Sequence, residues 1–190
     1  MRTINIYKFN ELSNEAQKNA VTNCQNKFEI DLDFFIDDAK MQIVEQGFYG
    51  KIDLQYSFGN SFGDGLSFSC EYFDTKRLAK IFENILGERK QKTIDLIINN
   101  CNFNLFGNTG RYCYAHINDL EFIFDDNINA PNIIEVVKKV EDELKSIYVN
   151  LCKKLETDGY NEIEYQNSDE YTAELLEINE YEFLENGKMI

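Results

Sequence analysis

Apolar residues recur along this chain with a period of two in some stretches and about 3.6 in others, and the two periods predict its elements. Thr3 to Phe9 alternates, Ile4 and Ile6 against Asn5 and Tyr7, as a first strand. Asn10 and Ser13 offer caps for a helix reaching about Lys27, with Leu12, Ala16, Ala20 and Cys24 four apart on one stripe. A second helix is expected from about Asp31 to Gln46, with Phe35, Ala39 and Ile43 inward and Gly47 as its stop. Its exposed side carries Asp33, Asp37 and Asp38, acids that suit the positive end of a helix dipole. Ile52, Leu54, Tyr56 and Phe58 then alternate, as do Leu66, Phe68, Cys70 and Tyr72. Gly59 to Gly65, with three glycines, joins the two runs as a hairpin.

Thr75 to about Asn100 returns to the helical period, through Leu78, Ile81, Phe82, Ile85, Leu96 and Ile97, with Gly87 dividing it. Three short strands are expected at about Cys101–Phe106, Arg111–Asn118 and Leu120–Asp125. Pro131 opens the longest helix, to about Asp158, with Ile134, Val137, Val140, Leu144, Ile147, Leu151 and Leu155 as its buried stripe and Gly159 as its end. Ser168 caps a short helix to Ile178, and Glu180 to Phe183 forms a closing strand before the Asn186-Gly187 turn. Strands grouped in hairpins and triplets imply an α+β fold: a mostly antiparallel sheet of about five to seven strands with helices packed on one face. No repeat or Pro- or Gly-rich linker divides the chain. Residues 1–190 are therefore expected to form a single domain, with an acidic C-terminal segment from about 160.

Composition narrows the function classes. In 190 residues, 43% hydrophobic and 14% aromatic content is ample for a core. Thirty-four acidic against 19 basic side chains give a net charge of −15, which argues against direct nucleic-acid binding, since that requires Lys and Arg on phosphates. The charge serves either solubility alone or a partner with a basic surface. No apolar run approaches a membrane span, and the N-terminus has no signal-peptide core, so a cytoplasmic location is expected. Cys24, Cys70, Cys101, Cys113 and Cys152 form no Cys-x-x-Cys pair and read as reduced core thiols. With His116 as the one histidine, no metal site and no cofactor is expected.

Catalytic motifs are weak. Gly59 to Gly65 lacks the Lys-Ser/Thr of a phosphate loop and opens no helix, so Asp64 reads first as a turn residue. His116 shares a strand face with Tyr112 and Tyr114, near Arg111. That face suits either an ordinary polar surface or an anion site with His116 as base. Asp64, Arg111, Tyr114 and His116 together define an alternative site for a nucleotide or phosphorylated metabolite, as a binding protein or an enzyme.

The stretch Tyr160 to Gly187 says more. It holds nine acids and no Lys or Arg, interleaved with Tyr160, Tyr165, Tyr171, Tyr181 and Phe183. Such a run is either a solvated, self-repelling face or a surface built to enter a basic groove, rings giving contact area and acids standing where phosphates would. On the second reading the contact residues are Glu162, Glu164, Tyr165, Glu170, Tyr171, Glu174 and Glu177, with Asp33, Asp37 and Asp38 as a second patch.

Three segments carry a resemblance: Ile6-Tyr-Lys-Phe-Asn-Glu-Leu-Ser-Asn-Glu-Ala-Gln17, the pair Gln55-Tyr-Ser-Phe58 and Gly63-Asp-Gly-Leu-Ser-Phe68, and Asn179-Glu-Tyr-Glu-Phe183 with Asn186-Gly-Lys188. Together they resemble a group of small acidic proteins of bacteriophages and prophages, most without an assigned activity. That group usually has an acid where Asn186 stands, and the segment from about Thr75 to Asn100 matches nothing in it. The resemblance implies a phage protein acting in a bacterial cytoplasm. Its company includes anti-CRISPR proteins, which bind a Cas effector and block its basic nucleic-acid channel, guide loading or conformational change. The function expected is therefore a non-enzymatic inhibitor of a basic, nucleic-acid-handling host protein.

Overall fold

The structure is a computed structural model and describes residues 4–25, 27–59, 63–87, 90–99, 101–105, 120–124 and 131–190. Along the chain run β1 (Tyr7–Lys8), a 3-10 turn (Phe9–Glu11), α1 (Asn14–Cys24), α2 (Asp33–Glu45), β2 (Phe48–Tyr49), β3 (Asp53–Ser57), β4 (Gly65–Ser69) and β5 (Tyr72–Phe73). There follow α3 (Thr75–Leu86), α4 (Gln91–Asn99), β6 (Cys101–Leu105), β7 (Leu120–Phe124), α5 (Pro131–Gln166), α6 (Asp169–Ile178) and β8 (Glu182–Phe183).

The expected α+β fold around one sheet of five to seven strands is overturned. The described residues are mostly helical, and their strands pair only two by two, β1 with β8, β2 with β5, β3 with β4 and β6 with β7, each antiparallel. Alternation reveals that a stretch is extended but not what satisfies its outer edge. On β4 that edge is met by a side chain: the Tyr148 hydroxyl of α5 accepts the Phe68 N–H at 2.9 Å and donates to the Phe68 carbonyl at 2.6 Å. A helix thus does at Phe68 what a third strand would otherwise do. β1, β2, β5 and β8 are two residues each, too short to seed a wider sheet. The first strand is accordingly shorter than expected, and Ile4 and Ile6 before it are exposed. The expected strand Arg111–Asn118 lies outside the described residues.

The chain divides into two compact units. One combines Met1–Asp33 with Gly159–Ile190, and the other is Phe34–Asp158. In the first, Ser13 caps α1 by accepting the Ala16 N–H at 3.3 Å, and the stripe Leu12, Ala16, Ala20 and Cys24 is buried together with Phe9, Val21, Leu176 and Phe183. α1 packs on α6, and β1 pairs with β8, so the two ends of the chain share one core. Burial of these apolar side chains supplies the driving force, at about 25 cal/mol per Å² removed from water.

In the second unit Phe48 is the aromatic centre, with ring centroids 5.2 Å from Phe68, 4.9 Å from Phe73 and 6.1 Å from Tyr148. Phe35, Ala39 and Ile43 of α2 are buried as their spacing implies, and Gly47 follows at φ 95°, a conformation that favours glycine. Gly87 separates α3 from α4, and its N–H caps Glu83. Leu96 is exposed where Ile94 and Ile97 are buried. On α5 Ile134 is exposed, while Tyr148 and Cys152 join Val137, Val140, Leu144, Leu151 and Leu155 inside.

Gly159 does not end α5, which continues to Gln166. A glycine inside a helix costs about 1 kcal/mol relative to alanine, too little to stop a helix whose next turns are anchored. The anchor is Gln166: its Oε1 accepts the Asp31 N–H at 2.8 Å and its Nε2 donates to the Asp31 carbonyl.

Candidate functional site

Of the acid–aromatic residues of the C-terminal segment, Tyr165, Glu170, Tyr171 and Glu174 come together where α5 gives way to α6, whereas Phe183 is buried in the core and Tyr181 packs on Phe28. Asn167 and Ser168 form the corner. The Ser168 hydroxyl accepts the Tyr171 N–H at 3.1 Å, which starts α6 and swings Tyr171 back over the last turn of α5. There its ring lies 5.2 Å from that of Tyr165, tilted by 60°. The Tyr165 hydroxyl donates to Glu174 Oε2 at 3.2 Å. That hydrogen bond raises the Tyr165 phenol above its ordinary pKa, with the charges of Glu174 and Glu170 adding to the effect.

Glu164, Tyr165, Glu170, Glu174 and Glu177 are exposed, and Glu162 and Tyr171 are half-buried. Glu170, Glu174 and Glu177 follow the i, i+4, i+7 spacing that keeps them on one face of α6. Asp169 and Glu170 also stand in the first turn of α6, where acids favour the helix dipole, so part of this cluster has a local stability role. Glu162 has one as well: it accepts from Gln166 Nε2 at 2.7 Å and thereby orients the amide that holds Asp31.

Ile178, the last residue of α6, is 75% exposed. It stands four residues beyond Glu174 on α6 and was legible only as a helix end. Beside the corner, a groove of about 610 Å³ runs between α1 and α6. Phe9, Val21 and Ala173 supply apolar lining, and Lys18, Asp169 and Glu170 supply charge.

The second patch is found on α2, where Asp33, Asp37 and Asp38 are all exposed. Asp38 accepts from Gln42 one turn on at 2.7 Å. Asp33 belongs to the first unit, Asp37 and Asp38 to the second.

Of the alternative site, Asp64 is described, and Arg111, Tyr114 and His116 lie outside the described residues. Asp64 is buried and its Oδ1 accepts from the Ser57 hydroxyl at 2.8 Å, so it closes the β3–β4 hairpin from within. Among the described residues no group of three or more His, Cys, Asp or Glu is placed to hold a metal ion. No helix among them is long and apolar enough to cross a membrane. Cys24, Cys70 and Cys152 are buried and reduced. Burial pushes the Cys70 and Cys152 thiols up to about 12, far from the range of a reactive thiolate.

The chain matches no protein-family model, no curated protein and no solved structure at a significant level.

Proposed function

We propose that this protein is a non-enzymatic, phage-type inhibitor that docks on a basic, nucleic-acid-handling host protein, a CRISPR effector above all. The observation that carries this reading is the corner between α5 and α6: two tyrosine rings 5.2 Å apart, with one phenol bonded to Glu174 and with Glu170 nearby. An arginine-lined channel has what such a corner complements. Guanidinium groups pair with carboxylates and stack on rings, and exposed Ile178 adds apolar contact. The net charge of −15 would steer the encounter and repel competing nucleic acid. The phage context rests on the three sequence segments that resemble phage proteins.

The test is displacement of guide or target nucleic acid from a purified effector, at low and high salt. Inhibition is expected to weaken as salt screens the opposed charges. It is also expected to disappear when Glu162, Glu164, Glu170, Glu174 and Glu177 are changed to Lys and Tyr165 and Tyr171 to Ala. Full inhibition by that variant would sink the proposal.

A further inference from the structure

On the other flank of α1 from the groove beside Glu170 lies a second groove of about 580 Å³, and its chemistry is opposite to that of the surrounding unit. It is lined by Asn19, Asn23, Lys27, Asn186, Lys188 and Met189. Two lysines and three asparagines line it and, among the described residues, no carboxylate does, in a unit whose sequence holds fourteen acidic and five basic side chains.

Both walls are built. Asn19, Asn23 and Lys27 recur every four residues and so follow one side of α1 and its exit turn, which the Lys27 N–H closes onto the Cys24 carbonyl at 2.8 Å. The facing wall is the C-terminal turn. Gly187 there has φ 81°, and a Cβ on it would stand 2.1 Å from the Ala16 carbonyl oxygen, so the turn lies directly on the α1 backbone. Leu184 N–H to the Lys188 carbonyl at 2.9 Å and Ile190 N–H to the Glu182 carbonyl at 3.0 Å close the turn into a narrow hairpin. Met189 is held from below by the Cys24 thiol, 3.9 Å from its sulfur. Asn186 Oδ1 accepts the Lys188 N–H at 3.2 Å, which leaves the Asn186 amide hydrogens as its donors.

We infer that this groove binds a phosphate-bearing small molecule, and that it is a site separate from the acid–aromatic corner. Two lysines, one from each wall, match the several oxygens and double charge of a phosphoryl group. The asparagine amides donate to the remaining oxygens or read the edge of an attached base, and Met189 offers a polarizable apolar surface. The volume falls within the range of about 300–1,000 Å³ usual for small-molecule sites. That no carboxylate is among the described lining residues matters most here, because a single one would repel the ligand.

Inorganic pyrophosphate, ADP and adenosine, titrated separately into the full-length protein and followed by amide NMR shifts, test the assignment. Pyrophosphate and ADP are expected to shift residues around Asn19, Asn23 and Lys188, and adenosine is not. Lys27→Gln and Lys188→Gln are each expected to weaken binding about tenfold or more, the effect of losing one charge-assisted hydrogen bond. Asn23→Asp should abolish it. Lys18→Gln and Asn14→Asp, on the other flank of α1, should leave it unchanged. Because all of these side chains are exposed, the variants keep the fold, which circular dichroism checks. No shift at millimolar pyrophosphate or ADP would overturn the assignment. So would binding that survives Lys27→Gln with Lys188→Gln, or adenosine binding as tightly as ADP. A phosphate site that fails leaves effector inhibition untouched, since that is read by displacement through the α5–α6 corner.

Discussion

The Tyr148 hydroxyl and the backbone of Phe68 form a closed exchange, the oxygen accepting the Phe68 N–H and donating to the Phe68 carbonyl. One side chain, 80 positions away in sequence, satisfies both polar groups that β4 turns away from its partner at that residue. Tyr148→Phe keeps the ring, which packs 4.5 Å from that of Phe68, and removes only the oxygen. Two buried backbone groups are then left without partners, at about 1–3 kcal/mol each. Urea unfolding should show a loss within that range or above it. A loss below about 0.5 kcal/mol, the scale of an ordinary surface change, would mean that water reaches the edge of β4.

Alkaline pH should destabilise the fold through its thiols. Cys70 and Cys152 hold their protons up to about 12 in the fold, against an ordinary 9.0. Between those values the unfolded chain binds fewer protons than the folded one, so stability falls as pH rises. Their contribution is whole below about pH 9 and is lost as pH climbs toward about 12. Unfolding midpoints measured from pH 8 to 11 should decline, and less steeply in Cys70→Ala with Cys152→Ala. At pH 8 the folded protein should resist a thiol reagent at both positions.

Tyr165 reports on the α5–α6 corner directly. Its hydrogen bond to Glu174 raises the phenol pKa, so Glu174→Gln should bring it back toward the ordinary tyrosine value, visible in ultraviolet titration as an earlier tyrosinate component. Titration unchanged by Glu174→Gln would show that the two side chains do not meet in solution.

Gly187 should tolerate no side chain. Its φ of 81° alone costs a non-glycine residue about 1–3 kcal/mol, and the contact of a Cβ with the Ala16 carbonyl adds to that. Gly187→Ala is expected to lower the thermal midpoint more than Gly87→Ala, where no atom of the described residues lies within 4 Å of the added Cβ and the φ penalty acts alone. Equal losses at the two glycines would count against the close packing of the C-terminal turn on α1.

Much of the local structure was legible in the residues. Ser13 and Ser168 cap the helices they precede, the stripes of α1 and α2 are buried as spaced, and Gly87 divides the helical stretch from Thr75 to Asn99. These are local matters, decided within a turn or two by side-chain oxygens, apolar periodicity and glycine's freedom. The acid–aromatic composition of the C-terminal segment was legible as well, and its charge needs no fold to be counted. The sheet, the end of α5 and the second groove were not legible. Alternation in β4 says nothing of whether a strand or a tyrosine will cover its edge. Gly159 reads as a stop until Gln166 is seen holding Asp31 across 135 positions. Lys27 and Lys188 are unremarkable surface charges until the Gly187 turn lies on α1 and makes them two walls of one groove. In each case the deciding contact joins residues far apart in the chain, and a sequence pattern carries periods and caps but not partners.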